Sequence, residues 1–385
     1  MSEALSASAL RAVFDGVAPG TVGLEEELML LDPSTLELAP RAAEVLARLD
    51  GDARFKPELP AAQLEIVLAP HETAGELEEP LLAARAELAG AAAGLACPAG
   101  AGVHPFSPGS GELNRAPRYA GIVAEYGPIA ARQLVFALQV HVAVGGAERT
   151  LAVYNALRSY LPLLAALAAN APFYEGRDCG LASVRPKLAE LLPRQGVPPA
   201  FESWEQYAEI LRWGERSGAF AEPRAWWWEL RPHPGYGTLE LRVPDTQATV
   251  ADACAVALVA QALVAWLAAR HDGGERLPTA PTWLIEQNRW SACRHGLSGT
   301  MADLDTGEPA PTHERVRQLL VELAPLAARL APACVMEHAR VLASSGGGAA
   351  AQRRAASERG AQGAAAWLAA RFLEPPPWRS AVPQP

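Results

Sequence analysis

Apolar and polar residues alternate with a period of two along five short stretches, the pattern of a strand that buries one face. In residues 21–31, TVGLEEELMLL, Leu24, Leu28 and Leu30 share one side with Glu26, while Gly23, Glu25, Glu27 and Met29 share the other. Residues 62–69 repeat the arrangement, with Gln63, Glu65 and Val67 opposite Leu64, Ile66 and Leu68. A third strand is predicted over 133–144, where Gln139 and His141 oppose Leu138, Val140 and Val142. The stretches 226–231 and 238–243, joined by the turn-like PHPGYG, read as a hairpin with Glu229 and Arg231 on one strand and Glu240 and Arg242 on the other. Helical periodicity fills most of the remainder. Thr73 and Glu76 form a capping box before an Ala/Leu/Glu-rich helix running to about residue 94, with Pro80 marking a kink or the true first turn. Further helices are predicted over 148–169, interrupted by Pro162, over 250–270 and over 312–342, with a last helix after Gly346–Gly348. Residues 97–118 read as loop, and 376–385 as a disordered Pro-rich tail behind a single catalytic domain, 1–375. Hairpin-paired strands among long helices predict an α+β fold with a mainly antiparallel sheet.

Composition narrows what such a fold could do. The net charge is −10 with no Lys/Arg-rich stripe, which argues against a nucleic acid or an anionic membrane as partner and favours small molecules. Five dispersed cysteines without a C-x-x-C pair, and no basic segment leading into an apolar one near residue 1, point to reduced thiols and a cytoplasmic protein. The most apolar stretch, 254–269, is short for a membrane span, contains Gln261 and is expected to be a buried core helix. Nothing fixes the oligomeric state, for which a homodimer is the default expectation. Neither a P-loop, nor a dinucleotide fingerprint after a strand, nor a Ser-His-Asp order is present.

The candidate chemistry lies on the polar faces. One polar strand face is ordinary in an antiparallel sheet, but glutamate is depleted in strands, and like charges on a shared face repel. If these faces line one cleft, Glu25, Glu27, Glu65 and Glu240 need counter-charge, because desolvation and mutual repulsion would otherwise protonate them. Mg²⁺ supplies that charge, prefers oxygen ligands, and commonly binds through one or two carboxylates together with substrate phosphates; His141 would suit Mn²⁺ or a phosphate contact better. Such a face suits phosphoryl transfer, which asks for positioning and charge neutralisation, with Glu27 and Glu240 as catalytic acids and Arg242 holding the γ-phosphate in its guanidinium fork. Arg177 and Arg185 are candidates for gripping a substrate carboxylate, with Arg231 and Arg294 behind them. Trp226, Trp227 and Trp228 are expected to pack rather than to stack on a ligand.

The order Gly23-Leu-Glu25-Glu-Glu27, Glu58-Leu-x5-Glu65, Val140-His141-Val142, Glu240-Leu-Arg242-x2-Asp245 resembles the bacterial carboxylate-amine ligases related to the second type of glutamate-cysteine ligase. NAPFYEGRDCGLASVR, EQNRWSACRHGL and GGGAAAQR extend the likeness over roughly residues 20–355. The resemblance implies a glutamine-synthetase-like curved sheet binding ATP and metal ions. It also implies the reaction, in which ATP phosphorylates a small carboxylic acid and an amino acid or amine displaces phosphate to give an amide. It adds Glu58 and His141 to the metal shell, and His141 and Gln139 join Arg242 at the nucleotide. Three positions depart from the family: Gln139 replaces a histidine, Cys179 a threonine and Ala351 an arginine, which bears on acceptor choice or rate. Two rival readings are a metal-dependent amide hydrolase using the same acids and a catalytically retired nucleotide-binding homologue.

Overall fold

The computed structural model describes residues 5–220 and 226–379. Its main sheet is open and antiparallel, built from β1 (Val22–Leu31), β2 (Phe55–Pro57), β3 (Gln63–Val67), β4 (Cys97–Ala99), β5 (Leu138–Ala143), β8 (Leu230–His233) and β9 (Thr238–Leu241), whereas β6 (Phe173–Tyr174) with β7 (Arg177–Asp178) and β10 (Thr300–Ala302) with β11 (Pro309–Pro311) form separate ribbons. The strand order is β2-β3-β1-β5-β9-β8, with β4 beside the far end of β1. Register carries the period-two pattern across the sheet. Glu27 faces Glu65, Glu25 faces Gln139, Gly23 faces His141, His141 faces Glu240, and Glu240 faces Arg231. Glu25, Glu27, Glu65, Gln139, His141, Arg231 and Glu240 therefore lie on one face, and Glu26 on the other.

The opposite face is core. Leu24, Leu28, Leu64, Ile66, Val140 and Leu241 are fully buried. The helix Val250–Asp272 packs beneath β1 and β5 and is itself covered by the helices Ala147–Leu157, Thr312–Leu330 and Ala333–Ser345. Two helical stretches, 147–168 and 250–272, are long and apolar enough to cross a membrane by that measure alone, yet most of each is buried in the interior. Glu26 points into this core and pairs there with Arg85, whose guanidinium also donates to the carbonyls of Gln247, Ala248 and Phe372. Every donor of that pair is used, which lets two charges stay buried.

Several element boundaries differ from the alternation and periodicity. The capping box at Thr73 opens a 3₁₀ turn, Ala74–Leu77, and the α-helix is Glu78–Ala92 with Pro80 in its first turn, where no intrahelical N–H is needed. The 312–342 helix is two helices, Thr312–Leu330 and Ala333–Ser345. Pro332 forces Ala331 out of the helical region, to φ −161° and ψ 161°. The hairpin strand begins at Leu230 rather than residue 226, and the helix Pro117–Tyr126 closes the stretch read as loop. Of the Pro-rich end, residues 376–379 are packed: the Trp378 indole donates to Glu78 at 2.8 Å and Arg379 pairs with Glu78 and Glu79, while 380–385 lie outside the described residues.

Candidate active site

Two cavities open on the polar face. The smaller, about 150 Å³, has Glu27, Glu58, Arg185, Glu229, Arg242 and Arg289 in its lining, under Tyr119, Ile122 and Trp227. The larger, about 740 Å³, lies towards the other end of the strands and is mostly apolar, with Val67, Ala143, His141, Glu25, Tyr236 and Thr238 in its wall. That volume is typical of a ligand pocket, roughly 300–1,000 Å³. Between them, Gln139 donates its amide to Glu27 Oε1 at 2.8 Å and accepts from Arg242 Nη1.

The charges on this face are unequally matched. Glu240 faces Arg231 through both oxygens and Arg242 Nη1 at 2.5 Å; against burial, which would raise it, the two guanidiniums hold its carboxyl well below the usual range. Among the described residues Glu27 accepts only from neutral donors, the amide of Gln139 and the Ala137 N–H at 2.7 Å, and burial raises its carboxyl despite the nearby Arg242. Burial and the charge of Glu27 push Glu58 up to about 7, although Arg118 stands 3.4 Å away. Glu65 is raised well above the ordinary value by burial and then by Glu58, Glu25 and Glu27. His141 Nε2 is buried without a hydrogen-bond partner, 3.6 Å from Glu25 Oε1, while Nδ1 meets the Thr238 hydroxyl at 3.0 Å.

The candidate residues thus fall into three groups. Glu25, Glu27, Glu58, Glu65, His141, Gln139, Glu240, Arg242 and Arg231 converge on the face, and Arg185 joins them from the segment beyond the β6–β7 ribbon. Arg185 is committed, donating to Asp245 at 2.7 Å and to the Val243 carbonyl. Arg177 and Arg294 lie apart, both exposed: Arg177 is on β7 and Arg294 on the outer face of the helix Thr282–His295, beside Gly180. The cation that this helix does send to the cavity is Arg289, bound to Glu229 at 2.7 Å and to Glu190 at 3.1 Å. Its position four after Ile285 and three before Ala292, on the buried helical stripe, was the signal that would have found it. Of the three tryptophans Trp226 is core, but Trp227 lines the cavity.

The motifs of the turn segment and the glycine run build a support. Asp178 pairs with Arg353, and Gln352 donates to Asn170 at 2.7 Å; Asn170 N–H donates in turn to Asp245, the partner of Arg185.

Among the described residues, no three His, Cys, Asp or Glu side chains stand close enough to hold a metal ion as they are. The donor set nevertheless fits a hard cation: among the described residues Glu25, Glu27 and Glu65 form no ion pair with an arginine or lysine, Glu58 meets only Arg118 at 3.4 Å, and the His141 Nε2 is unpartnered. Glu240, whose oxygens already face Arg231 and Arg242, fits that role less well.

An open antiparallel sheet with a polar, acid-rich face and helices behind it is the architecture of the glutamine-synthetase-like ligases. The glutamate-cysteine ligase of Francisella tularensis in complex with AMP aligns with TM-score 0.64 and 12% identity over 93% of this chain and 90% of that one. A bifunctional glutathione synthetase from Pasteurella multocida aligns with TM-score 0.64 and 14% identity, over 94% of this chain and 53% of that one. The class is therefore that of carbon-nitrogen ligases. The chain belongs to glutamate-cysteine ligase family 2, whose family model matches residues 21–366. A provisionally named glutamate-cysteine ligase 2-3 of Rubrobacter xylanophilus is 37% identical over 84% of this chain and 89% of its own length, and a similarly named protein of Gloeobacter violaceus is 32% identical over 82% and 87%.

Proposed function

We propose that this protein is an ATP-dependent carboxylate-amine ligase that works through an acyl phosphate. The observation that carries the reading is the side-by-side placement of a large, mostly apolar pocket and a small charged one, joined across Glu25, Gln139 and Arg242. The larger pocket suits a nucleoside, and its triphosphate would run over that row, with Arg242 placed to draw charge from the transferring phosphoryl group. The substrate carboxylate attacks the γ-phosphorus and ADP leaves. The amine then attacks the acyl carbon, the C–O bond to phosphate breaks with its electron pair on phosphate, and the amine loses a proton. Glu25, Glu27, Glu58, Glu65 and His141 would hold Mg²⁺ or Mn²⁺. Bound there, such ions would offset the charge that builds on the phosphate oxygens. Glu27 and Glu58 line the acceptor cavity.

The test is ADP release with Mg²⁺ over a matrix of carboxylic acids and amines, with products weighed by mass spectrometry; glutamate and cysteine, for which the relatives are named, head the matrix. Amide formed in step with ADP is expected. Amide cleavage without nucleotide, or no acid-dependent ADP from folded protein, would overturn the reading.

A further inference from the structure

We propose that two copies of this chain pair through the outer face of the helix Thr282–His295, antiparallel about a twofold axis at Trp290. The proposal does not depend on the ligase reading. The inner stripe of that helix, with Ile285, Arg289 and Ala292, is buried in the molecule. On the opposite stripe Trp283, Glu286, Gln287, Trp290 and Arg294 follow at spacings of one, three and four and are all exposed, Trp283 by 63% and Trp290 by 46%. Two tryptophans two turns apart on one exposed face form a patch rather than scattered apolar residues, and tryptophan and arginine are enriched at interface centres. The Lys187 ammonium stands 5.7 Å from the Trp290 ring, and Leu191, exposed in the turn that follows, widens the patch.

The charges on the stripe specify a second copy as the occupant. Glu286 stands four residues before Trp290 and Arg294 four residues after it, about 6 Å along the axis on either side. Within one chain that separation keeps them apart, and among the described residues neither forms an ion pair. Asp178, which lies near Arg294, already accepts from Arg353 through both oxygens, at 2.7 and 2.8 Å. An antiparallel twofold at Trp290 sets Glu286 of each chain level with Arg294 of its partner, so one stripe supplies both salt bridges of an isologous contact. Trp290 then packs on its own copy, and Trp283 reaches the C-terminal end of the partner's helix. One acid and one base leave the stripe neutral, so a chain of net charge −10 can meet itself there without like charges opposing at the contact.

Sedimentation velocity of the full chain over a micromolar concentration series should show a species of twice the 40.7 kDa of one chain. Trp290→Glu, which sets two carboxylates on the axis, should leave a monomer with native circular dichroism. Glu286→Arg and Arg294→Glu each bring like charges level across the axis, and each should weaken the dimer by about tenfold or more. The double reversal, Glu286→Arg with Arg294→Glu, restores opposite charges at both places and should recover the dimer. A monomer at every concentration, a dimer whose mass Trp290→Glu leaves unchanged, or a double reversal that associates no better than either single change overturns the proposal.

Discussion

Gln139 ties two residues that the proposed chemistry would need at fixed separation, since one end of its amide meets Glu27 and the other Arg242. Gln139→Leu removes both contacts without adding charge. Misplacement of a charge-handling group by about 1 Å can cost on the order of 10²-fold, so kcat should fall by that order while circular dichroism stays native. An unchanged kcat would show that Arg242 is held by Glu240 alone. Glu58 offers a test in pH. In the metal-free chain its carboxyl stays protonated up to about 7, higher than in the unfolded chain, so the folded state binds more protons and stability falls as pH rises through that window. Glu58→Gln, uncharged throughout, should match wild type at about pH 5 and gain in Tm towards about pH 8, measured by calorimetry in chelator. A Tm difference independent of pH would remove the assigned cause. Which acids share the face was legible in the sequence, because alternation assigns a side to each strand residue. Their differing states were not. That Glu240 is neutralised while Glu27 is not depends on Arg231 lying across the β8–β9 register, a relation between strands that no single stretch contains.

At the level of elements, the helix Gly347–Ala355 shows how a motif can reach the site from a distance. A Cβ on Gly348 would collide with Asn170 Oδ1, and Asn170 and Arg185 share Asp245. Gly348→Ala should therefore cost about 1–3 kcal/mol, the usual penalty of overpacking, and reduce kcat/KM along with Tm. A drop in Tm alone would show that the support does not reach Arg185. The paired charges under the sheet give a second element-scale outcome. Arg85→Met strands Glu26 in the core, a change worth about 3–5 kcal/mol, whereas Glu26→Met with Arg85→Met should recover most of it in urea denaturation. Glu26 was visible as an acid on the wrong side of β1, but its partner sits 59 residues on, in a helix whose own periodicity gives no sign of which strand it will cross. For the same reason the sequence alone does not separate Arg294 from Arg289. The motif supplied both, and only the burial of one helical face distinguishes them.

Across the whole molecule, the sheet separates a dry interior from a face whose acids outnumber its available cations. The chain carries −10 overall, and Glu25, Glu27, Glu58 and Glu65 gather four carboxyls where water is partly excluded, which raises three of them. On the proposed reading, a fold arranged in this way is less stable without cations than with them. Mg²⁺ with a non-hydrolysable ATP analogue should raise Tm more than the sum of the shifts from each alone, because the nucleotide adds charge that only the cations offset, and the cations gain oxygen ligands that only the nucleotide brings. Ligand at 100 times its dissociation constant stabilises by about 2.7 kcal/mol, enough for a shift of several degrees in differential scanning fluorimetry. Glu65→Gln, which removes one unmatched acid from the centre of the face, should raise the Tm of the free chain and shrink the joint shift. If the analogue alone gave the full shift, or if Glu65→Gln left it intact, these four acids would not be the groups that couple cation to nucleotide, and the polar face would have to be read as a solvated surface with a nucleotide pocket beside it.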